Sequence, residues 1–154
     1  MPSIVKLPKK YSVNLFRLIG IIHGDGNMSF NRIHISDKSL DYHKMVLQPL
    51  FMKLFNLRLN LYRDKGRNSY YSHIKNKVVY KFLTDECLIP KGAVRKNIMI
   101  PIYFSKVKDK LIASYIGGIY DSESYVSKRQ AEIGFSTTSK VVYDLIKRFL
   151  NKKE

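Results

Sequence analysis

The sequence predicts an α+β fold made from a duplicated unit, the second copy shorter than the first. Three observations predict it. A nine-residue segment of helical character occurs twice, as Leu18-Ile19-Gly20-Ile21-Ile22-His23-Gly24-Asp25-Gly26 and as Ile116-Gly117-Gly118-Ile119-Tyr120-Asp121-Ser122-Glu123-Ser124, with Gly20 and Gly118 98 residues apart. Such self-similarity marks an internal duplication. Each copy is followed by a stretch of alternating apolar and polar residues, the pattern of a half-buried strand. Finally, 45% hydrophobic residues, with eight Phe and eleven Tyr, are enough for a packed core.

Residues 1–11 are a short basic lead. Residues 12–25 form the first repeated helix, with Ser12 as N-cap and Gly26 as the residue past its end. From Asn27 to Ser36 the chain reads as a hairpin turning near Asn31, with Met28, Phe30, Ile33 and Ile35 apolar and Asn27, Ser29, Arg32 and His34 on the other face. Ser36 or Asp37 then caps a helix to about Phe55, striped by Leu40, Leu47, Leu50, Phe51 and Leu54, and Pro49 should kink or split it. A second hairpin runs through Leu57, Leu59 and Leu61, turns at Asp64 to Asn68 and returns over Ser69 to Ile74. Its inward face is open: Tyr71 and His73, or Tyr70 and Ser72. A helix from Asn76 to Glu86 and a linker over 87–105 follow, the latter marked by Pro90, Gly92 and Pro101. The second repeated helix spans 107–123. Tyr125 to Phe135 alternates again, with Ala131, Ile133 and Phe135 inward and Gln130 and Glu132 outward, and Ser139 caps a closing helix.

The repeated segment makes a physical demand. A glycine inside a helix costs about 1 kcal/mol relative to alanine, so each needs a compensating gain. Gly20 and Gly24 share one helix face, and Gly118 and Ser122 repeat that placement. Small residues at this spacing let two helix backbones touch, so the two copies are expected to pack on each other. Their ends then bring Asp25 and Glu123 together. An anion at a helix C-terminus is disfavoured by the macrodipole, and two such anions repel. A cation between them resolves the conflict, and a hard divalent ion such as Mg²⁺ suits oxygen ligands.

At these residues the chain resembles the LAGLIDADG homing endonucleases. The resemblance covers nearly the whole sequence. It implies two pseudo-symmetric αββαββα units, with antiparallel saddle sheets on DNA and a two-helix interface. Residues 1–105 would be the first half-domain plus linker, and 106–154 a second half-domain truncated after one hairpin and one helix. By position, Asp25 and Glu123 would be the catalytic acids and metal ligands, joined by the carbonyls of Gly24 and Ser122, with Mg²⁺ as cofactor and Mn²⁺ as substitute. Lys38 matches the family's basic residue, its alternative being an ordinary surface lysine. Gly20, Gly24, Gly118 and Ser122 would form the helix interface. Besides this truncation, its largest departure, the chain differs from the family in three ways. His23 replaces an inner acid, Ser124 replaces a glycine, and Thr137 and Thr138 stand where the second half should carry its base, with Lys140 and Lys128 near by. His23 is expected to pack or cap rather than act as a base.

Lys plus Arg total 28 against 12 Asp plus Glu, a formal charge of +16, which points to a polyanionic partner. A two-stranded ribbon fits the major groove of double-stranded DNA. Arg32, Arg58 and Arg129 are of the type that reads guanine, and Asn27, Asn60 and Gln130 adenine. Ser29, His34, Asp37, Tyr62, Tyr70, Ser72, Ser127, Lys128 and Glu132 complete the polar strand positions. Arg63, Lys65, Arg67 and Lys75 suit phosphates. The apolar runs are too short to span a membrane, and Cys87 alone allows neither an internal disulfide nor a cysteine zinc site. The resemblance implies an intron-encoded endonuclease making a staggered double-strand break by metal-dependent hydrolysis, and the expected setting is intracellular and cytoplasmic, in an archaeal host, with an organelle as the alternative. The enzyme would act as a monomer, or as a dimer or swapped assembly if the second half is incomplete. No Cys or Ser follows a cleavable start and no His-Asn ends the chain, which speaks against protein splicing. The rivals are an RNA-binding intron maturase and a catalytically inactive DNA-binding protein on the same fold.

Overall fold

The structure, a computed structural model, describes residues 4–127 and 132–153. Helix α1 (Val13–Asp25) starts as expected. Ser12 is extended, and its hydroxyl accepts the Leu15 N–H at 3.2 Å, satisfying one open donor of the first turn. The other end differs from expectation: Gly26 is extended, not left-handed, and opens strand β1 (Gly26–Ser29). Glycine is required there for space, because a Cβ would lie 2.6 Å from the Ile22 side chain.

Strand β2 (Arg32–Asp37) returns through a turn in which Phe30 and Asn31 are both left-handed, at φ 50° and 61°. That geometry matches the twist of the flanking strands. The turn also takes Phe30 out of the alternation that would bury it beside Met28: Met28 is fully buried and Phe30 is 90% exposed. Ser39, rather than Ser36 or Asp37, caps the next helix, accepting the Tyr42 N–H at 3.1 Å. Asp37 accepts the Ser39 N–H at 2.7 Å instead. The helix runs as α2 (Leu40–Tyr42), a π-helical turn (His43–Leu47) and α3 (Gln48–Phe55). The wide turn is the local answer to Pro49. The Gln48 N–H reaches back to the His43 carbonyl, and the added residue makes room for a ring that would otherwise strike the preceding turn.

Strands β3 (Asn60–Asp64) and β4 (Ser69–Lys75) form the second hairpin, whose turn is tied by the Gly66 N–H donating to Asp64 Oδ1 at 3.1 Å. Asn76 caps α4 (Lys77–Lys81), which continues as a π-helical turn Phe82–Glu86. The expected linker carries structure of its own. It adds strand β5 (Gly92–Ala93) to the edge of β1 and buries Ile89, Val94, Ile98 and Phe104. Helix α5 (Asp109–Glu123) then runs straight into β6 (Ser124–Ser127), and β7 (Glu132–Phe135) and α6 (Lys140–Lys153) follow.

The first sheet has the order β3-β4-β2-β1-β5, every neighbour antiparallel, and β6 pairs with β7. The element order of α1, β1, β2 and α2–α3 recurs in α5, β6, β7 and α6. The hairpin registers agree: Gly26 opposes Ile35 and Ser29 opposes Arg32, while Ser124 opposes Phe135 and Ser127 opposes Glu132. Ser139 caps α6 as Ser39 caps α2, and Thr137 Oγ1 accepts the Ser139 N–H at 3.1 Å where Asp37 serves in the first unit. Counted from these caps, the buried Leu47 of the π-helical turn and Leu50 and Phe51 of α3 correspond to Lys147, Leu150 and Asn151 of α6, all exposed. The core centres on α1, whose Leu15, Phe16, Leu18, Ile19, Ile21 and Ile22 are essentially fully buried, as a helix apolar on every side must be.

Candidate metal centre and nucleic-acid interface

Helices α1 and α5 pack backbone to backbone through the two expected glycines. A Cβ on Gly20 would overlap the Tyr115 carbonyl oxygen and come 3.0 Å from the Ile119 nitrogen. A Cβ on Gly118 would overlap the Arg17 carbonyl oxygen and come 2.9 Å from the Ile21 nitrogen. Tyr115 and Ile119 are the equivalents of Arg17 and Ile21, so the contact obeys an approximate twofold. Near the helix starts, the Ser114 hydroxyl donates to the Val13 carbonyl at 2.6 Å. Contacts that advance in the same sense along both chains make the helices parallel, and Asp25 and Glu123 therefore finish at the same end. Gly24 is buried and Ser122 half-buried. The Ser122 hydroxyl donates back into its own helix, to the Ile119 carbonyl at 3.0 Å.

The twofold explains the departure at position 23. Arg17 pairs with Asp121 at 2.8 Å. Their equivalents are Tyr115 and His23, which share a hydrogen bond of 2.7 Å between the phenol and Nδ1. One pair of positions thus holds an ion pair at the surface and a neutral pair in the core. Burial holds His23 down to about 3, and burial also raises Tyr115, so both stay uncharged at neutral pH. His23 is a packed residue, as expected, and Tyr115 is the partner that a linear sequence does not reveal. Between pH 6.5 and about 3 the unfolded chain binds a proton that the folded one refuses. Stability is therefore present above 6.5 and falls by about 1.4 kcal/mol per pH unit through that window. A His23→Gln variant should flatten this limb of a Tm-against-pH curve.

Asp25 is half-buried at the end of α1, and Glu123 is the last residue of α5. Among the described residues no group of three His, Cys, Asp or Glu gathers into a metal site. The oxygens that could hold an ion there are those of two carboxylate-bearing helix ends and their backbone carbonyls, a set of the kind that suits a hard divalent ion. Tyr42, unremarkable as a sequence position, comes into this region. Its buried hydroxyl has no hydrogen-bond partner among the described residues. Burial first, then the charges of Asp121, Asp25 and Asp37, keep the phenol protonated. Lys38 is exposed in the loop after β2, directly following Asp37.

The polar face of the sheet is set by register. Ser29, Arg32 and Lys75 form one cross-strand row, Asn27, His34, His73 and Asn60 a second, and Ser36, Tyr71 and Tyr62 a third. Tyr70 and Ser72, expected on the polar face, lie on the other one: Ser72 is 2% exposed and its hydroxyl hydrogen-bonds His43 Nδ1 at 2.6 Å beneath the sheet. Strand alternation puts Tyr70 on that same face, and the row Asp37, Tyr70, Arg63 belongs with it. Tyr71 and His73 take their place on the polar side. There His34 stacks on Tyr71 (4.9 Å), Tyr71 on Tyr62 (5.3 Å) and Tyr62 on His73 (5.2 Å). Arg58, Lys65 and Arg67 are exposed outside the strands. Ser127 and Glu132 oppose each other in the second hairpin, and Lys128, Arg129 and Gln130 lie outside the described residues.

Paired motif helices that run together into antiparallel hairpins define the LAGLIDADG homing-endonuclease fold, and this chain has it. It is similar to solved structures of the homing endonuclease I-DmoI. Mesophilic variants of that protein align with a TM-score of 0.64 and 19% identity, covering 91% of this chain and 76% of that one. Its complex with DNA and Mn gives 0.63 and 19% over 93% and 78%, and its complex with DNA and Ca 0.65 and 18% over 94% and 73%. Among curated proteins, the glutamine–fructose-6-phosphate aminotransferase (isomerizing) of Methanocaldococcus jannaschii is 33% identical over 140 residues, 88% of this chain. The probable translation initiation factor IF-2 of the same organism is 30% identical over 145 residues, also 88% of this chain. The chain spans only 12% and 11% of the length of these two relatives. No family model matches the sequence.

Proposed function

We propose that the chain is a site-specific endodeoxyribonuclease of the homing type, built from units 1–105 and 106–154, that cuts both strands of a long duplex target. One observation carries this: two parallel helices in backbone contact deliver Asp25 and Glu123 to one end, where each helix passes directly into a hairpin. Asp25 and Glu123, with the Gly24 and Ser122 carbonyls, would hold divalent metal, Mg²⁺ in the working enzyme. Bound metal supplies positive charge beside the phosphodiester. Lys38 adds charge stabilisation from the first unit only. Ser29, Asn27, Arg32, His34, Asn60, Tyr62, Tyr71, His73 and Lys75 offer the DNA a polar face, and the surrounding cations anchor phosphates. The segment shared with two relatives of unrelated names fits an element that inserts into host genes; an intron-encoded protein is one form of it and an in-frame insertion the other.

The test is cleavage of a randomised duplex library with Mg²⁺, beside an Asp25→Asn, Glu123→Gln double variant. Site-specific double-strand breaks from the parent alone support the enzyme. Sequence-specific binding without cleavage by either protein moves the function to a DNA-binding regulator. The stacked rings of His34, Tyr71, Tyr62 and His73 favour one second reading, an RNA-binding maturase, because aromatic faces accept unpaired bases. Tighter binding to a structured intron RNA than to any duplex DNA would establish it.

The two histidines make DNA binding pH-dependent. Both lie below their ordinary value of 6.5, His34 through burial first and then the charges of His73, Arg32 and His43, and His73 through burial and then Arg32. They are neutral at pH 7 and gain charge only below 6.5. Affinity for duplex should therefore rise only as pH falls below 6.5, and a His34→Gln, His73→Gln variant should lose most of that rise in a fluorescence-anisotropy titration.

A further inference from the structure

Phe30 occupies a position that its own chemistry opposes. Among the left-handed residues Asn31, Asn56 and Asn68 are of the type that tolerates that region, whereas Phe30, at φ 50°, and Leu88, at φ 59°, carry bulky side chains, and of these two Phe30 is the more exposed. Left-handed backbone costs a non-glycine residue about 1–2 kcal/mol, and the two-residue turn it occupies favours Asn or Gly at both central positions. Packing does not compensate, since the ring is 90% exposed. A sequence serving only the hairpin would not place phenylalanine here. Strain with no return inside the fold points to a contact outside it.

The position says what the contact is. Phe30 is the tip residue of the β1–β2 hairpin, beside the row Ser29, Arg32, Lys75 that closes the polar face. The Asn76 N–H donates to the Asn31 carbonyl at 2.9 Å, tying the tip to the end of β4. Two cations, Arg32 on β2 and Lys75 on β4, therefore stand in the row next to this turn, at the leading edge of a two-stranded ribbon. A phenyl ring can neither donate to nor accept from a base edge. The apolar group that B-DNA presents in its major groove is the thymine 5-methyl. We propose that Phe30 is a specificity-determining residue that reads a thymine methyl group at one position of the duplex target, Arg32 and Lys75 setting the tip on the backbone around it. This rests on the DNA-binding reading above.

The experiment is a pair of binding selections from a randomised duplex library, with the parent and with Phe30→Asn. Both should recover the same site, except that the variant loses its preference for thymine at one position. Uracil at that position should weaken the parent about fourfold, the worth of one buried methyl group, and leave the variant unmoved. Phe30→Asn should also melt above the parent, because asparagine relieves the turn. Identical preferences at every position would overturn the proposal while leaving the DNA reading intact. A variant that melts lower and binds all sequences more weakly would make Phe30 a structural residue and overturn it too. A parent that selects no sequence at all would end the DNA reading, and the proposal with it.

Discussion

Gly118→Ala should cost the protein at least about 3 kcal/mol, the upper range for forcing volume into a packed site, and lower Tm by about 10 °C for a domain of this size. Gly117→Ala, one residue earlier, should raise stability by about 0.5–1 kcal/mol. The opposite signs follow from what a methyl group meets. At Gly118 it meets the Arg17 carbonyl carbon at 3.1 Å and the Ile21 nitrogen at 2.9 Å, both backbone, so nothing can swing aside and the helices must part. At Gly117 it meets nothing within 4 Å, and the substitution only restricts the unfolded chain and supports the helix. Gly20→Ala should match Gly118→Ala, since the same carbonyl-to-glycine contact recurs there with the roles of the helices exchanged. Thermal melts of the three variants, with far-UV circular dichroism to confirm helix content, check the set. Equal effects at Gly117 and Gly118 would mean that helix propensity, not the approach of the backbones, governs this segment.

That contact was legible in the sequence because duplication writes the same demand twice. Ser12 and Ser139 were legible as caps for a similar reason: a short polar side chain just before an apolar helical run has few other uses. The places where the sequence was silent share a different cause. The π-helical turn before Pro49 is an accommodation of a known breaker, and sequence gives the conflict without its resolution. The outward face of β4 could not be chosen from Tyr70, Tyr71, Ser72 and His73, since a hydroxyl and an imidazole suit either side. Burial of Ser72 is decided by His43, 29 residues away. Likewise, β5 is two residues long and has no periodicity to read. Tyr115 and Tyr42 stand out only when a second element is brought beside them.

Asp25→Asn and Glu123→Gln should each abolish cleavage, by about a thousandfold or more, because several kcal/mol of charge stabilisation at about 1.4 kcal/mol per tenfold in rate is lost with either metal ligand. The same variants should melt higher than the parent in the absence of divalent ions. A carboxylate at a helix C-terminus works against the macrodipole by about 0.3–1 kcal/mol, and two of them add mutual repulsion. Adding Mg²⁺ should reverse the order, raising Tm of the parent by mass action and leaving the double variant where it was. A structural role for the acids predicts lower stability on substitution under every condition, so the crossing of the two melting series separates a metal centre from a pair of capping side chains. The two centres should also be unequal. Asp37 and Lys38 precede the cap at Ser39, while Thr137 and Thr138 precede the matching cap at Ser139, so the first unit carries a lysine at this position and the second a threonine. Lys38→Met should therefore slow the cutting of one strand and spare the other, accumulating nicked duplex that a strand-labelled cleavage assay resolves; equal slowing on both strands would place Lys38 in binding rather than at one scissile phosphate.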